Sequence, residues 1–400
     1  MTGGPRIYLD NAATTQPLAE VVEAMARVQF DTFGNPSSKH AFGPPARALL
    51  DDAREFLRGT LGAAQLVFTS GGSEADQLGI VGSAAARPPG RVLLAATDHP
   101  AMLQCESLLA KWRHYVTRLP VTAHGDIAPE TLFDALGDDV RTVAILHGHN
   151  ELGTLSRLDE LVSLVRRIAP TAHVHVDLVQ TYGKLPFDLD DADVDSVAVS
   201  AHKLHGPRGV GFLALSSKAQ ITPLLKAGGQ EGGLRGGTEN TAGAVGLMLA
   251  AEQALSHQAA TAAHTSSLAD LIERAIKAAF PAAERLGHPD RRLPHILSLR
   301  LPGIVGQTLA ERCDARGVAL SVGSACHSTH DEPKGKPANH VLAAIGLDAA
   351  AAREVIRLSF CRATTVEAAR TAAGILVEEA ERLSAMAPRS TRTARAAPQP

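Results

Sequence analysis

The chain has few cysteines and little excess charge. Four cysteines among 400 residues are too few to cross-link a chain of this length, and no two of them form a C-x-x-C pair. This usage excludes a disulfide scaffold and is typical of a reducing, intracellular setting. The formal net charge is only −3, which gives no electrostatic footprint for nucleic acid or for an anionic membrane. The expected partners are small molecules or proteins.

Long hydrophobic runs are missing as well. The N-terminus lacks the charged segment and apolar stretch of a signal peptide, and no later stretch reaches ~18 consecutive apolar residues. We therefore expect a cytoplasmic protein without a membrane span. No internal repeat or heptad pattern occurs. The hydrophobic fraction of 45% excludes the composition of a disordered chain, so the protein is expected to fold.

What the sequence does contain is an alternation of short β-rich runs with longer helix-like stretches. The apolar runs lie at 65–70, 91–97, 140–146, 172–178, 194–200 and 209–215. Strands separated by helices predict βαβ units and a largely parallel sheet. We therefore predict an α/β fold, with a large domain built on this sheet.

The composition changes after about residue 243, where an Ala-rich helical pattern begins, followed by a short strand run and a helix from about Val366 to Ser384. This change predicts a second, smaller α+β domain. The last segment lacks apolar periodicity and cannot offset its ordering entropy. The predicted units are an N-terminal segment that packs with the small domain (1–18), a large cofactor-binding domain (19–250), a small domain (251–384) with a cysteine loop (321–340), and a disordered tail (385–400).

A turn rich in glycine and serine follows the first of the strand runs. It leads from Ser70 to Ser73 and into a helix with Glu74 and Asp76 in its first turn. Small residues let backbone N–H groups approach an anion, and the helix N-terminus adds the positive end of its dipole. A phosphate site and plain turn chemistry both remain open. The segment matches neither nucleotide-binding glycine motif, so a nucleotide is not indicated.

Two further strand ends carry residues that suit pyridoxal 5'-phosphate. A lysine at the carboxyl edge of a parallel sheet lies where ligands bind, and a partly desolvated lysine can form a Schiff base. Lys203 alone could equally be a surface lysine. Pyridoxal phosphate, however, needs a lysine, an acid at its ring nitrogen, a phosphate cradle and usually a planar partner. Lys203, Asp177, the turn at 70–73 and His99 together match this set.

The cysteines divide into one candidate nucleophile and three others. Cys326 lies between small residues near the start of the predicted cysteine loop, where a thiol is a better nucleophile than in a core. The alternative interpretation is that Cys326 is a buried hydrophobic residue. Cys105, Cys313 and Cys361 are interpreted as structural. Arg357 and Arg362 are candidate carboxylate clamps or ordinary surface charges.

Histidine pairs raise the question of a metal site. They are His147 with His149, His173 with His175, and His327 with His330. Because the sequence lacks a second cysteine pair and an H-E-x-x-H helix, we expect no metal and interpret these histidines as ordinary polar residues.

At this point the sequence resembles a known family, the cysteine desulfurases and selenocysteine lyases among the class-V aminotransferase-like, fold type I pyridoxal-phosphate enzymes. The resemblance extends from about Ile7 to about Thr365. It rests on eight segments in the family's order: IYLDNAATTQP, FGNPSSKHAFG, FTSGGSEADQL, HVDLVQTYGK, SAHKLHGPRGVG, GGQEGGLRGGTEN, SVGSACHS and IRLSFCRATT.

The resemblance implies roles for individual residues. Lys203 would be the Schiff-base lysine, with Asp177 at the pyridine nitrogen and Gln180 at the ring hydroxyl. His99 would stack on the ring and move protons. The phosphate would be bound by Gly72, Ser73, Ser200 and His202, with Thr238 contributed by the partner subunit of a homodimer. The substrate carboxylate would be bound by Asn150, which also contacts the cofactor, and by Arg357; Cys326 would receive sulfur as a persulfide.

The implied function is conversion of L-cysteine to L-alanine with transfer of sulfur to Cys326 and onward to an acceptor protein. A selenocysteine lyase that releases selenide is the near alternative, favoured by A-C-H-S at Cys326 and disfavoured by Pro100. A cofactor-binding scaffold without turnover is the alternative of another class. The sequence departs from the family's usual residues at Ser73, His149, Leu178, Phe212 and Cys361. Leu178 and Phe212 could narrow the pocket or only repack the core.

Overall fold

A computed structural model describes residues 6–322 and 339–386 of the chain. The strands are β1 (Ile7–Tyr8), β2 (Gln65–Thr69), β3 (Arg91–Ala95), β4 (Tyr115–Leu119), β5 (Val140–Leu146), β6 (His173–Asp177), β7 (Ser196–Ser200), β8 (Gly211–Leu215), β9 (Glu284–Arg285), β10 (Ile296–Arg300), β11 (Val318–Ala319) and β12 (Val355–Ser359).

The helices alternate with these strands through much of the chain. They are α1 (Ala19–Asp31), α2 (Gly43–Gly59), α3 (Gly72–Ala85), α4 (Pro100–Leu103), α5 (Cys105–Lys111), α6 (Pro129–Ala135), α7 (Leu158–Ile168), α8 (Thr241–Ser256), α9 (Gln258–Ala279), α10 (Gly306–Ala315), α11 (His340–Ala344), α12 (Ala349–Ala352) and α13 (Val366–Met386).

The largest sheet has seven strands in the order β2-β8-β7-β6-β5-β3-β4. All neighbours pair in parallel except that β8 runs opposite to both β2 and β7. Every residue of β6, β7 and β8 is buried, which is the pattern expected of strands with helices on both faces. The predicted α/β class with a mainly parallel sheet is confirmed.

Helices cover both faces of this sheet and pack against alternate residues of its strands. On one face, residues such as Val174 and Val176 pack with α2, α7 and α8. On the other, Ala144 packs with α3 and α5, and Ala198 lies in a neighbouring cluster with α3 residues. The end of α8 belongs to this large core, because Ala250 and Ala251 lie in its main cluster. The domain boundary predicted at 250 therefore falls inside a helix.

A second sheet has three antiparallel strands in the order β12-β10-β9, and its core contains residues of α9, α10 and α13. The N-terminal strand β1 pairs in parallel with β11, at Ile7 with Val318. A few residues later the same segment reaches the large sheet, where Thr15 Oγ1 donates to the His202 carbonyl at 2.9 Å. Residues 6–18 thus contact both sheets.

Two further predictions, the cysteine loop and the disordered tail, fall mostly outside the described residues. Of the predicted cysteine loop, 321–340, residues 321–322 and 339–340 are described, and of the predicted tail the described part ends at Met386, the last residue of α13. No helix in the described ranges is both long and apolar enough to cross a bilayer.

Candidate active site

A cavity of about 230 Å³ lies at the carboxyl edge of the large sheet. Strands β2, β3, β5, β6 and β7 share one direction, so the chain leaves each of them at this edge, where open α/β sheets bind ligands. The predicted site residues that line the cavity are Gly72, Ser73, His99, Asn150, Asp177, Gln180, Ser200, His202 and Lys203. The fold therefore brings together nine of the ten predicted cofactor-binding residues.

One end of the cavity is built on the start of α3. Gly72 is its first residue, and a Cβ atom there would lie 2.8 Å from Val179 Cγ2, so the chain packs too closely for a side chain. Glu74 is turned away: its carboxylate accepts from Ser70 N at 2.6 Å and from Arg235 Nε at 2.9 Å. The first N–H groups of α3, with Ser73, are left to face an anion.

His202 and Lys203 lie in a short turn directly after β7. Burial, and then the nearby charge of Lys203, lower the pKa of His202 to about 4, so its imidazole is neutral at neutral pH. Lys203 Nζ donates to the carbonyl oxygens of Ala12 and Ala13, at 2.7 Å each. The N-terminal segment thereby covers the lysine side of the cavity.

Gln180 and Asp177 present polar atoms to the middle of the cavity. Gln180 Nε2 donates to the Ala12 carbonyl at 3.0 Å, while its Oε1 is buried without a hydrogen-bond partner. Asp177 Oδ1 accepts from Val179 N at 2.7 Å. Burial, and then the Asp76 carboxyl, raise the pKa of Asp177 well above its usual range. A carboxyl group in such surroundings ionises readily only beside a cation.

These observations fit pyridoxal phosphate. The unpartnered Oε1 of Gln180 can accept from the ring hydroxyl, and a protonated ring nitrogen is a cation of the kind that Asp177 needs. The N-terminus of α3, with Ser73, Ser200 and His202, can hold the phosphate. His99 is the N-cap residue just before α4, and its Nδ1 accepts from Ala101 N at 3.1 Å, which orients the imidazole at the cavity wall.

Asp76 also lines the cavity and was not predicted as a site residue. A hydrogen-bonded chain connects it to the interior: His173 Nε2 and His175 Nδ1 lie 2.7 and 2.8 Å from Ser196 Oγ, and His175 Nε2 lies 3.2 Å from Asp76 Oδ1. His173 Nδ1 is buried without a partner, so the ring hydrogen is on Nε2, because an unsatisfied donor costs about 1–3 kcal/mol. Donation therefore runs from His173 towards Asp76.

The sequence contained a signal for Asp76, since it lies three residues after Ser73 and so on the same helix face. The histidine pair of β6 serves this hydrogen-bonded chain. Within residues 6–322 and 339–386, no three potential ligand side chains are grouped so as to hold a metal ion.

Two of the predicted site residues that the structure describes do not line the cavity. Arg357 lies on β12, where its Nη2 donates to Asp10 Oδ1 at 2.7 Å and its Nη1 to the Asn150 carbonyl at 3.0 Å; its Nε is buried without a partner. Thr238 is exposed in the segment before α8. Cys326 lies outside the described residues.

The departures from the family's usual residues have distinct structural explanations. Leu178 and Phe212 are fully buried in the main core cluster and do not line the cavity, so they repack the core. His149 is buried beside β5: its Nδ1 accepts from Glu151 N and Leu152 N, and its Nε2 donates to the Thr97 carbonyl. Cys361 is half-buried.

Comparison with known proteins identifies the relatives of this chain. The aminotransferase class-V family model matches residues 7–370. The cysteine desulfurase NifS of Azotobacter vinelandii is 37% identical over 367 residues, which cover 90% of this chain and 89% of that protein. The solved structure of a NifS-like protein superimposes with a TM-score of 0.86 at 31% identity, covering 95% of this chain and all of that one. A structure described as SspA in complex with cysteine gives a TM-score of 0.76 at 30% identity, covering 90% of this chain and 99% of that chain.

Proposed function

Because the chain belongs to the cysteine desulfurase family of class-V aminotransferases, we propose that it converts L-cysteine to L-alanine in the cavity at the edge of the large sheet. The convergence of nine predicted residues in that cavity is the observation that carries this proposal. The family depends on pyridoxal phosphate, which is the cofactor of this protein. When bound, it withdraws electrons from the substrate Cα, which makes the Cα proton removable.

Each of the cavity residues has a separate role in binding the cofactor. Lys203 would attach the cofactor covalently, and its free amine would be a base close to the substrate. Asp177 keeps the ring nitrogen protonated, and Gln180 accepts from the ring hydroxyl. His99 covers the ring face, and the neutral imidazole of His202 donates to the phosphate. Each role follows from the family resemblance and agrees with the side-chain positions given above.

Substrate binding is assigned to Asn150 and Arg357. The structure supports a specific form of this assignment, because Arg357 already pairs with Asp10 and donates to the Asn150 carbonyl. Its unpartnered Nε is the donor that remains for a substrate carboxylate, and these contacts hold the guanidinium against the loop that carries Asn150. Cys326 receives the sulfur as a persulfide and passes it to an acceptor protein.

We further propose a homodimer in which Thr238 reaches the phosphate of the partner subunit. Its exposure in the single chain supports this role, because a residue that serves another subunit has to lie at the surface. A cytoplasmic location agrees with the low cysteine content. Selenocysteine is the alternative substrate, favoured by A-C-H-S at Cys326.

Incubation of the purified protein with L-cysteine tests the proposal. We expect a yellow protein that forms alanine, and we expect Lys203→Ala to lose both the visible absorbance and alanine formation, because it cannot bind the cofactor covalently. The alanine yields from L-cysteine and L-selenocysteine, measured in parallel, decide between desulfurase and lyase. A colourless wild-type protein that takes up no added pyridoxal phosphate would refute both, and a yellow protein that forms alanine from neither substrate would be the scaffold.

A further inference from the structure

A second, smaller cavity shares Lys203 with the cofactor cavity and no other lining residue. It has a volume of about 60 Å³, and its polar lining includes Lys184, Lys203, His205, His295 and Cys361. We call it the rear chamber. An open groove of about 700 Å³ on the adjacent surface is lined by His205 and Cys361 as well. The Cys361 thiol therefore lies where the groove and the rear chamber meet.

His205 is placed to act as a base for this thiol. Its Nδ1 lies 2.8 Å from the Gln16 carbonyl, which can only accept, so the ring hydrogen is on Nδ1 and Nε2 carries a lone pair. The same imidazole lines both the rear chamber and the groove together with Cys361, and it is among the groups that lower the pKa of the thiol. A thiol, a neighbouring base and a carbonyl that orients the base are thus brought together.

The backbone around His205 is held in an uncommon conformation. His205 has φ +67°, in the left-handed region that residues other than glycine seldom adopt, and its N–H donates to Thr15 Oγ1 at 2.7 Å. Such a conformation persists only where surrounding contacts impose it, and it is typical of functional sites. The strain fixes the imidazole beside the thiol.

The electrostatic surroundings favour a thiolate. Burial alone would raise the pKa of Cys361, but the neighbouring His205 imidazole and the hydroxyl of Thr364 bring it below the usual value. No aspartate or glutamate is among the residues that line the rear chamber. The other described cysteines are the opposite case, since burial raises the pKa of both Cys105 and Cys313 to about 12.

His295 indicates what the rear chamber holds. Its side chain is 97% buried, and neither ring nitrogen has a hydrogen-bond partner. One of the two must carry a hydrogen, and a buried unsatisfied donor costs about 1–3 kcal/mol. Lys184 also lines the rear chamber, where burial lowers its pKa to about 7 and its Nζ donates to the Gln180 carbonyl at 3.3 Å. An anionic acceptor in the rear chamber would accept from His295 and favour the charged form of Lys184.

We propose that Cys361 is a second sulfur-carrying thiol, which takes a sulfane sulfur atom from a persulfide and holds it in the rear chamber. The thiolate attacks the outer sulfur of a persulfide R–S–SH; the new S–S bond forms as the R–S bond to that sulfur breaks, and R–S⁻ leaves with the electron pair. Atoms, charge and electrons balance without an oxidant. Loss of the outer proton gives a persulfide anion, which accepts from His295 and pairs with Lys184.

The size of the rear chamber agrees with this occupant. A volume of 60 Å³ corresponds to roughly four water molecules at ~15 Å³ each, which is enough for one additional sulfur atom. The groove gives a small persulfide access to Cys361 without passage through the cofactor cavity. This site therefore goes beyond the proposed desulfurase reaction, and its test does not require that reaction.

The first experiment treats the cofactor-loaded wild-type enzyme with glutathione persulfide in the absence of cysteine, followed by alkylation and peptide mass spectrometry. We expect an added sulfur atom on Cys361, at least tenfold more than on Cys105 or Cys313, which serve as internal controls in the same folded protein. Equal labelling of the three, or none on Cys361, overturns the proposal. An enzyme that forms no alanine but labels Cys361 leaves the proposal standing and refutes the desulfurase function alone.

The second experiment distinguishes the role of His205 as a base from the role of His295 in holding the persulfide. His205→Gln should slow iodoacetamide alkylation of Cys361 about tenfold or more at pH 7 and raise the inflection of its pH profile, because the amide cannot take the proton. His295→Leu should leave the alkylation rate within twofold and lower persulfide retention at least fivefold. Unchanged profiles in His205→Gln, or full retention in His295→Leu, contradict the proposal. The titratable or charged groups that line the rear chamber or the groove with the thiol are Arg6, Tyr8, Lys184, Lys203, His205, His295, Arg362 and Glu367.

Discussion

Two buried carboxyl groups, Asp76 and Asp177, line the same cavity and differ in what surrounds them. Asp76 receives a hydrogen bond from His175, and burial raises its pKa to about 8. Asp177 receives a backbone hydrogen bond from Val179, and Asp76 is among the groups that raise its pKa. The two therefore compete for one negative charge, and a cation beside Asp177 decides which of them ionises. The cofactor nitrogen is that cation in the proposed function.

The substitution Asp177→Asn tests this assignment. The amide oxygen can still accept from Val179 N, so we expect folding and cofactor binding to change little. Alanine formation should fall on the order of 100-fold or more, because a neutral amide cannot stabilise positive charge on the ring nitrogen. The measurements are bound cofactor by visible absorbance and the rate of alanine formation. Asp190→Asn, at an exposed position, is the control; wild-type turnover in Asp177→Asn would show that Asp177 does not act on the ring.

Some site residues could be predicted from the sequence and others could not. Lys203 and Asp177 could be placed at one sheet edge because each directly follows an apolar strand, and parallel strands end together. Cys361 could not be judged in this way. Several of its neighbours in space, such as His205 and Asn11, are more than 150 residues away in the chain, and whether a thiol is buried or active depends on them.

At the scale of elements, the residues around Glu231 join three parts of the large domain. Glu231 pairs with Arg54 of α2 through two hydrogen bonds, at 2.6 and 2.9 Å, and its Oε2 accepts from Phe68 N of β2 at 2.8 Å. The Glu231 side chain is 99% buried, and Arg54 also lies over the Phe68 ring at 4.9 Å. This contact fixes the strand that leads into the turn at 70–73 and the chain that leads to Thr238.

Glu231→Ala should destabilise the protein by about 3–5 kcal/mol, because it leaves a mostly buried guanidinium and a backbone N–H without partners. Urea unfolding at pH 7 measures the free energy. The matched control is Glu106→Ala, which breaks the Arg118–Glu106 pair, about half exposed on both sides, and should cost less than ~1 kcal/mol. Equal effects of the two substitutions would mean that burial does not determine the contribution of the Glu231 pair.

The elements recovered from the sequence are those with a strong apolar signal. The six strand runs correspond to β2, β3, β5, β6, β7 and β8, with ends that differ by at most two residues. Strand β4 (Tyr115–Leu119) was missed because it lies at the sheet edge, where only its last residue is buried and Arg118 interrupts the apolar pattern. The boundary predicted at 250 lies within α8, and an Ala-rich helix does not show in its sequence which core it joins.

At the scale of the whole molecule, folding buries ionisable groups of both kinds, with opposite dependence on pH. Burial raises the pKa of carboxyl groups such as Asp98 and lowers the pKa of histidines such as His173 and His295. In acid, a raised carboxyl pKa favours the folded state, whereas a lowered histidine pKa favours the unfolded state, which binds the proton first. The contributions of the carboxyl groups and of the histidines to the pH dependence of stability therefore partly cancel. A single substitution isolates the contribution of one group better than the wild-type stability curve does.

His149 gives the clearest single contribution. Burial lowers its pKa to about 3, and the positive charges facing it, His340, His99 and Arg357, act in the same direction; only the hydrogen bond to Thr97 opposes them. The unfolded chain has a histidine pKa near ~6.5. Above that value both states are neutral and the histidine contacts stabilise fully. Below it, stability is lost at about 1.4 kcal/mol per pH unit until the folded pKa is reached.

His149→Asn should therefore reverse its effect with pH. At pH 7 the variant should be less stable than wild type by about 1–3 kcal/mol, because Asn can replace one of the acceptor contacts to Glu151 N and Leu152 N but is too short to donate to the Thr97 carbonyl. Asn takes up no proton, so the deficit should shrink by about 1.4 kcal/mol per pH unit below ~6.5 and vanish near pH 5. Urea unfolding of both proteins at pH 7, 6, 5 and 4.5 measures the difference, with His257→Asn at an exposed position as the control. A constant difference between variant and wild type across this range would show that His149 is not held neutral by the fold.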